Sequence, residues 1–242
     1  MKKIFLCLII FSIFSCKSSL INYALEKKGV YEDKITIREF TRDSNDVVFF
    51  EMAHIGTSLY YEDVKIKIDS LLKENFYFYL ESINDDESND SIRRKFIKIT
   101  KVALQKEGYM GSLDSIFIAK GIKLKKELVS QPKYNTQGLT DKNSANVDVS
   151  LNDIINYYEN KYQPIILEPC DYEVSLYEVP KCPITLKKEI RDDIIVNFRN
   201  NHVLQKLSEE KKQKIGIIYG KGHLKGIKEG LLKMGYTEVL SK

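Results

Sequence analysis

The chain has 242 residues, with 38 basic and 34 acidic side chains, a formal net charge of +4 and 43% hydrophobic residues. Without residues 1–15, which carry two lysines and no acid, 36 basic residues stand against 34 acidic ones. A nearly balanced charge that is scattered along the chain argues against nucleic acid as a partner. The 227 residues that remain are ample for one α/β domain with a sizeable core.

The amino-terminal segment predicts export. Two lysines precede an apolar run over residues 4–14, which is shorter than the roughly 20 residues of a membrane-spanning helix. The run ends in Ile-Phe-Ser-Cys, which resembles a bacterial lipobox and implies cleavage before Cys16 and lipidation of its thiol. We therefore predict a signal peptide over residues 1–15 and a lipid-anchored tether over residues 16–30. The alternative is an ordinary export signal with an incidental cysteine.

The predicted location follows from this anchor. The mature protein would be an exported lipoprotein of the cell membrane or outer membrane, and it would face the periplasm or the cell surface. In an oxidising compartment Cys170 and Cys182 could close a short loop as a disulfide. Two free buried thiols are the alternative for this pair.

After the tether, two strand patterns and a helix predict a βαβ unit. KITIREF, residues 34–40, alternates polar and apolar side chains and predicts an edge strand, and DVVFFEMA, residues 46–53, predicts a buried strand. Apolar residues at helical spacing predict a helix over residues 58–75, which leads into the strand FYFYLES. Val47 to Ser82 should thus hold two parallel strands joined by a helix.

The middle of the chain has weaker patterns. A second amphipathic helix is predicted from Ile92 until Gly108, and residues 134–149 form a polar stretch too long for a simple turn. We predict a long loop there. Ser150 then begins a short helix, with Asp153 three positions later as an imperfect capping box.

The last part of the chain returns to a regular alternation. A long helix from Leu186 to about Glu210 leads into the strand KIGIIYG, a Gly-rich turn, a helix over residues 224–234 and the strand YTEVL. The third histidine, His202, is predicted to be an exposed residue of the long helix. The whole pattern predicts an α/β fold with a mixed, largely parallel central sheet flanked by helices, in a single domain over residues 31–242.

Three predicted strands stop at residues able to do acid-base or metal chemistry, namely His54, Glu81 and His223. The carboxyl ends of parallel strands meet at one edge of a sheet, where α/β proteins bind ligands. Neutral imidazole is the commonest metal ligand, and it also titrates near neutral pH. The three residues could therefore hold a divalent metal with an open position for water, or act as an acid-base set without metal.

The glycines beside His223 suit such a site. Gly220 and Gly222 would let the chain turn sharply from strand to helix and let a ligand approach the backbone. The start of the last helix offers N–H groups to an anion.

The carboxyl-terminal segment IGIIYGKGHLKGIKEGLLKMGYTEV resembles the corresponding motif of the TraB/GumN/Tiki family, a relative of erythromycin esterases and ChaN-like haem-binding lipoproteins. The shared features are an apolar strand, Gly-x-Gly-His, a short helix and Leu-x-x-x-Gly-Tyr before a last strand. EMAHIG at His54, YLES at Glu81 and the Arg-Asp pair at Arg191 agree with the same pattern. LVSQ near Gln131 and NVDVS around Asp148 resemble the middle of small bacterial members. The resemblance covers nearly all of residues 46–240.

The resemblance implies an extracytoplasmic hydrolase that directs water onto an ester or peptide bond of a small molecule or peptide. It gives His54, Glu81, Arg191 and His223 as catalytic residues, with Arg191 stabilising the developing oxyanion. The binding candidates are Gly220, Gly222, Gln131 and Asp148.

Two alternatives stay open. In a metal-dependent form, His54, Glu81 and His223 would be the ligands, but the family usually has Gly three residues before the first histidine, where this chain has Glu51. That carboxylate could add a ligand or pair with a lysine. In a non-catalytic form, the lipoprotein would hold haem or another small molecule, as ChaN-like relatives do.

Overall fold

The structure is a computed structural model that describes residues 18–85, 88–104, 121–178 and 180–239. The signal peptide over residues 1–15 and the lipidation candidate Cys16 lie outside these residues. The chain divides into two compact units. The first contains the described parts of Met1–Thr36, Met52–Glu74 and Met110–Leu139, and the second contains those of Ile37–Glu51, Asn75–Tyr109 and Thr140–Lys242.

Eight strands are present in the described residues, and six of them form one sheet in the second unit. The order across this sheet is β6-β4-β7-β2-β1-β8, and β3 and β5 form a separate pair in the first unit. The strands are β1 (Ile37–Arg42), β2 (Asn45–Met52), β3 (Ile55–Gly56), β4 (Tyr77–Leu80), β5 (Val129–Ser130), β6 (Ser144–Asn146), β7 (Lys214–Gly220) and β8 (Thr237–Val239).

The six-stranded sheet is mixed and largely parallel. Strand β4 runs parallel to β6 and β7, and β1 runs antiparallel to β2 and β8. The N–H group of Asp46, near the start of β2, donates to the carbonyl of Gln213, just before β7, at 2.7 Å. These two strands therefore start side by side and run in the same direction. The predicted fold class, an α/β fold with a mixed and largely parallel sheet, is confirmed.

The helices carry the sequence signals that start and stop them. Thr57 caps α2 by accepting from the backbone of Tyr60, and Ser150 and Asp153 form the capping box of α4. Lys101 ends α3 in a left-handed conformation with φ of 62°. The helices are α1 (residues 18–27), α2 (Ser58–Lys73), α3 (Asp90–Thr100), α4 (Leu151–Lys161), α5 (Lys188–Asp192), α6 (Phe198–Glu209) and α7 (Leu224–Lys233), with a π-helical turn over Asp193–Asn197.

Two apolar clusters form the core of the second unit. In the first, Phe49 and Ile217 from the sheet pack with Val203 from α6 and Ile227 and Leu231 from α7. In the second, α3, α4 and the π-helical turn pack together, and its members include Phe96, Ile99, Ile154, Ile155 and Ile194. Burial of these faces is the main source of folding free energy.

Several sequence predictions differ from the structure. KITIREF is not an edge strand, because β1 lies between β2 and β8, and the edge is the three-residue β8. The two strands of the predicted βαβ unit are parallel, but β7 lies between them. The polar stretch 134–149 contains a 3-10 turn and the edge strand β6. A short edge strand needs no apolar pattern, so periodicity did not reveal it.

The segments predicted as tether and as long helices also differ. Residues 18–27 of the predicted tether form α1. The helix predicted to end at Gly108 ends at Thr100, and Gly108 lies outside the described residues. The long helix is interrupted by the π-helical turn over Asp193–Asn197. Within the described ranges, no helix combines the length and the apolar character required to cross a membrane.

A disulfide joins Cys170 and Cys182, one of the two alternatives left open by the sequence. Beside it the buried Asp171 accepts from Lys98 Nζ at 2.6 Å, and Glu168 accepts from the same amine at 3.1 Å. Lys98 belongs to α3 and is also buried. Burial alone would lower the pKa of this amine, but the two carboxylates outweigh burial and raise it.

Gly216 allows β7 to approach β4, and this contact gives a test of the packing. A Cβ at this position would lie 2.4 Å from Phe78, the fully buried residue opposite it on β4. We expect Gly216→Ala to lower the free energy of unfolding by about 1–3 kcal/mol, because the Phe78 ring has no room to shift. Urea denaturation of Gly216→Ala and of Gly222→Ala, where a Cβ meets nothing within 4 Å, measures this difference. Equal losses in both variants would contradict it.

Candidate functional site

Polar side chains gather where three neighbouring strands end. Glu81 directly follows β4, Asp148 lies two residues after β6, and His223 closes the 3-10 turn that follows β7. These strands are adjacent in the order β6-β4-β7 and run parallel, so their carboxyl ends lie at one edge of the sheet. The structure therefore brings together three of the residues singled out in the sequence.

Arg199 of α6 connects these residues. Its Nε donates to Asp148 Oδ1 at 2.9 Å, and its Nη2 donates to Glu81 Oε1 at 2.7 Å and also to Asp148 Oδ2. Its Nη1 donates to the carbonyl of Ile195 at 3.3 Å and lies 3.3 Å from His223 Nε2. Arg199 is only 4% exposed. A buried guanidinium is stable only when it is paired with carboxylates, and the buried carboxylates likewise need the guanidinium as their partner.

The local helix geometry presents Arg199 to the strand ends. The π-helical turn over Asp193–Asn197 immediately precedes α6, and the N–H group of Phe198 bonds to the carbonyl of Asp193. A π-helical turn contains one residue more than an α-helical turn, so it shifts the following residues around the helix axis. Arg199 follows this turn, and its Nη1 donates back to the carbonyl of Ile195 within the turn.

A hydrogen bond to Asn200 sets the orientation and tautomer of the buried His223. Asn200 Nδ2 donates to the carbonyl of the buried His223 at 3.4 Å, which fixes the orientation of the Asn200 amide. The Oδ1 atom of Asn200 is then the atom that lies 2.7 Å from His223 Nδ1, and an amide oxygen can only accept. The proton of neutral His223 therefore lies on Nδ1. Nε2 then faces Glu81 Oε1 at 3.4 Å and Arg199 Nη1 at 3.3 Å. Gly226 leaves room for this amide, because a Cβ there would lie 2.3 Å from Asn200 Nδ2.

The charges of the cluster shift its titration. Burial raises the pKa of Glu81, but a hydrogen bond from His223, which requires a proton on Nε2, the charge of Arg199 and the N–H group of Gly220 outweigh it and lower that pKa to about 2. Burial lowers the pKa of Arg199, and the two carboxylates outweigh this and raise it. Glu81 and Arg199 are thus both charged. A proton on Nε2 could be donated to Glu81.

One N–H group beside the glycines has its partner within the protein, and the anion position at the start of the last helix stays a prediction. The N–H group of Gly220 donates to Glu81 Oε2 at 2.5 Å. Neither Gly220 nor Gly222 has a positive φ, so the turn does not need the left-handed conformation that glycine permits. The absence of a side chain at Gly222 leaves open space there.

Glu51, the departure from the family pattern, forms ion pairs in the second unit. Its Oε1 accepts from Arg38 Nε at 2.9 Å, and its Oε2 lies 3.3 Å from Lys221 Nζ. The carboxylate is buried, whereas the lysine side chain is 60% exposed. The interpretation that Glu51 pairs with a lysine therefore agrees with its contacts, and an arginine is added to it.

His54 and Gln131 contact each other in the first unit. His54 Nδ1 lies 3.2 Å from Gln131 Oε1, and the N–H group of Gln131 donates to the carbonyl of His54 at 2.9 Å. The two-stranded pairing of β3 with β5 places them side by side. His54 is exposed. Its assignment to the same site as His223 stays a prediction.

The arginine and the third histidine differ from the sequence predictions. Arg191 is an exposed residue of α5, and the arginine that contacts Glu81 is Arg199, two helical turns later. His202, predicted to be exposed, is half-buried in α6. The sequence analysis missed Arg199 and Asn200. Their Arg-Asn-Asn-His run lies in a charged helix, and the π-helical turn that changes which side of this helix they occupy is not recognisable from the sequence.

The contacts of Glu81 and His223 do not fit a metal ion between them. Arg199 presents N–H groups to both Glu81 Oε1 and His223 Nε2, the two atoms that would be ligands. In the described part of the chain, one group of metal-type side chains lies within 4.8 Å, formed by Glu168, Cys170, Asp171 and Cys182. Its sulfurs are joined as a disulfide, and Lys98 pairs with both of its carboxylates. A metal at His54, Glu81 and His223 stays a prediction from the family resemblance, and the contacts of Glu81 and His223 do not favour it.

No family model, no curated protein and no solved structure matches this chain.

The titration of Glu81 gives a test of the cluster. Since its folded pKa of about 2 lies below its ordinary value of 4.5, its charge contributes stability that is present above pH 4.5 and is lost as the pH falls toward 2. The shift corresponds to about 3 kcal/mol. We expect Glu81→Gln to be less stable than the wild type at pH 7 and the difference to shrink over that range.

Denaturant unfolding at a series of pH values measures this difference. Glu74→Gln, an exposed carboxylate at the end of α2, is the matched control and should follow the wild type throughout. A stability difference between wild type and Glu81→Gln that stays constant from pH 7 to pH 2 would show that the charge of Glu81 is not involved.

The bond from Asn200 gives a second test. We expect Asn200→Leu, which keeps a similar volume, to lower the free energy of unfolding by about 1–3 kcal/mol, because the Nδ1–H group of His223 loses its acceptor. Nitrogen NMR should also show that neutral His223 no longer has its proton only on Nδ1. Asn201→Leu, at the exposed neighbouring position, is the control and should change neither property. An unchanged tautomer in Asn200→Leu would refute the assignment.

Proposed function

We propose that this chain is an exported, lipid-anchored hydrolase of the TraB/GumN/Tiki type that cleaves an ester or peptide bond by attack of water. The general base would be His223. One observation carries the proposal: a carboxylate and a guanidinium from separate parts of the chain converge on His223 Nε2, at 3.4 and 3.3 Å, while its Nδ1 is held by Asn200. A base oriented through its second nitrogen is the arrangement that nucleophile activation uses.

The proposed step uses only groups of the cluster. His223 Nε2 takes a proton from water, and the oxygen of that water bonds to the carbonyl carbon of the substrate. Glu81 Oε1, at 3.4 Å, accepts the new N–H and stabilises the imidazolium. When the tetrahedral intermediate collapses, Nε2 returns the proton to the leaving oxygen or nitrogen. The charge of Arg199, fixed by Asp148, stabilises the oxyanion.

The side of substrate entry follows from exposure. His223 is buried, but the two residues before it are exposed, with Lys221 at the surface and open space at Gly222. A substrate would therefore approach across this short turn. The assay with ester and peptide probes distinguishes the two substrate classes.

The test is hydrolysis by the purified full-length protein of two probes, a p-nitrophenyl ester series and a fluorescence-quenched peptide library. We expect turnover of one class, and a loss of kcat/KM of at least about 100-fold in His223→Gln, because general-base catalysis contributes about that much. A chelator should leave the rate unchanged, since the proposed step uses no metal. His202→Gln, at a half-buried position on α6, is the matched control and should keep the wild-type rate.

Two results would overturn the proposal. The first is that the wild type and His223→Gln hydrolyse both probes equally while circular dichroism shows both folded. The second is an absorbance band near the Soret region after haem addition, without hydrolysis of either probe, which would favour the binding alternative. In that case His54 is the first residue to substitute, because it is exposed and its Nδ1 is held by Gln131, as in many metal-ligating histidines.

A further inference from the structure

Helix α1 (residues 18–27) is held in the first unit by one of its faces. Asn22 Nδ2 donates to the carbonyl of Lys123 at 2.8 Å, and Asn22 Oδ1 accepts from the N–H group of Lys125 at 2.8 Å. Lys125 Nζ also pairs with Glu26 at 2.8 Å. These bonds fix the rotation of the helix about its axis. Its opposite face is therefore held outward.

That outward face is apolar. Leu20 is 70% exposed and Tyr23 is 60% exposed, and Ala24 and Lys27 are also exposed. These four residues are spaced i, i+3, i+4 and i+7, so they form one stripe along the helix. A single exposed leucine is ordinary, but an ordered stripe of apolar side chains on a short helix calls for a partner.

The charges around the stripe are positive. Lys17 precedes the helix, Lys27 lies at its end with Nζ 5.6 Å from the centre of the Tyr23 ring, and Lys28 follows. The acidic residue of this helix, Glu26, is paired with Lys125. An apolar stripe with a tyrosine, bordered by lysines, is typical of helices that lie in the interface of an anionic bilayer.

The position of the helix in the chain favours the same partner. In the sequence, Lys17 alone lies between Cys16 and residue 18, the first described residue of α1, and one residue of chain spans at most about 4 Å. If the chain is attached to a membrane through residues 1–16, α1 cannot lie far from the lipid headgroups.

We propose that the outward face of α1, formed by Leu20, Tyr23, Ala24 and Lys27, is a docking surface for a bilayer that contains anionic lipid. The proposal rests on membrane attachment through residues 1–16, which the sequence predicts, and it is independent of hydrolysis. The docked helix lies parallel to the membrane plane, with Leu20 and Tyr23 in the interface and the lysines beside the headgroups. The face then fixes how the first unit is oriented on the membrane.

The absence of tryptophan from the chain makes a direct test possible. The full-length protein with Tyr23→Trp is reconstituted into vesicles of phosphatidylcholine and phosphatidylglycerol, with and without brominated acyl chains. We expect blue-shifted emission that brominated lipid quenches by roughly twofold or more, because an interfacial side chain lies about 5–10 Å deep. Tyr172→Trp is the matched control, since Tyr172 is 54% exposed in the second unit, and its emission should be unaffected.

Charge reversal tests the lysines in the same background. Lys27→Glu with Lys28→Glu should reduce the quenching of the Tyr23→Trp side chain, and the reduction should disappear at high salt. Lys211→Glu, at an exposed position of the second unit, should leave the quenching unchanged. Circular dichroism of the double variant checks that α1 still forms.

Three outcomes would overturn the docking proposal. The wild-type chain could be recovered without membranes, which refutes the anchor as well. It could be recovered with membranes while the Tyr23→Trp side chain emits as if in water, which refutes the docking surface alone. Blue-shifted emission that appears without vesicles and grows with protein concentration would assign the face to a second copy of the chain. None of these outcomes bears on the hydrolysis assay.

Discussion

The second unit depends on one buried cation. Arg199 is taken out of water on α6, and the free energy cost of doing so is offset only because Asp148 and Glu81 meet it at the strand ends. Replacement of Arg199 by a neutral side chain would leave two carboxylates together in a medium of low dielectric, which costs several kcal/mol. Because Asp148 follows β6 and Glu81 follows β4, the ion pairs also fix the edge strand β6 relative to the middle of the sheet. Stability and the proposed chemistry thus depend on the same atoms.

These shared contacts restrict the orientation of the His223 imidazole. Its two nitrogens are within reach of three partners, and each partner is itself held by a further bond: Asn200 by the carbonyl of His223, Glu81 by Gly220 and Arg199 by Asp148. Such an arrangement preorganises the imidazole, so little reorganisation would accompany a proton transfer. The same bonds explain why the cluster is buried without unpaired charge.

The sequence predicted the fold better than it predicted the site. Strands such as β2 and β7 are long apolar runs, and the capping box at Ser150 is a local signal, so these elements were identified from periodicity and caps. Glu81 and His223 were found because strand ends in parallel sheets converge. The arginine was placed at Arg191 because its Arg-Asp pair matches the family pattern, whereas the arginine that contacts Glu81 is Arg199, which follows the π-helical turn. The strand β6 has only three residues, too few for any pattern.

The disulfide between Cys170 and Cys182 lies beside a group of hydrogen bonds and an ion pair that hold the same irregular segment. Asp171, adjacent to one cysteine, is tied to the buried amine of Lys98, and Arg94 on the same helix α3 donates to the backbone of Asp171 and Val174. The covalent bond and the ionic ties act on neighbouring points, so they are partly redundant. Chemical reduction would therefore cut the covalent tie while both ends of the loop keep contacts with α3, the near end through Asp171 and the far end through the N–H group of Ile184, which donates to the carbonyl of Lys98. The segment would thus keep its place over α3 whether its two thiols are joined or reduced.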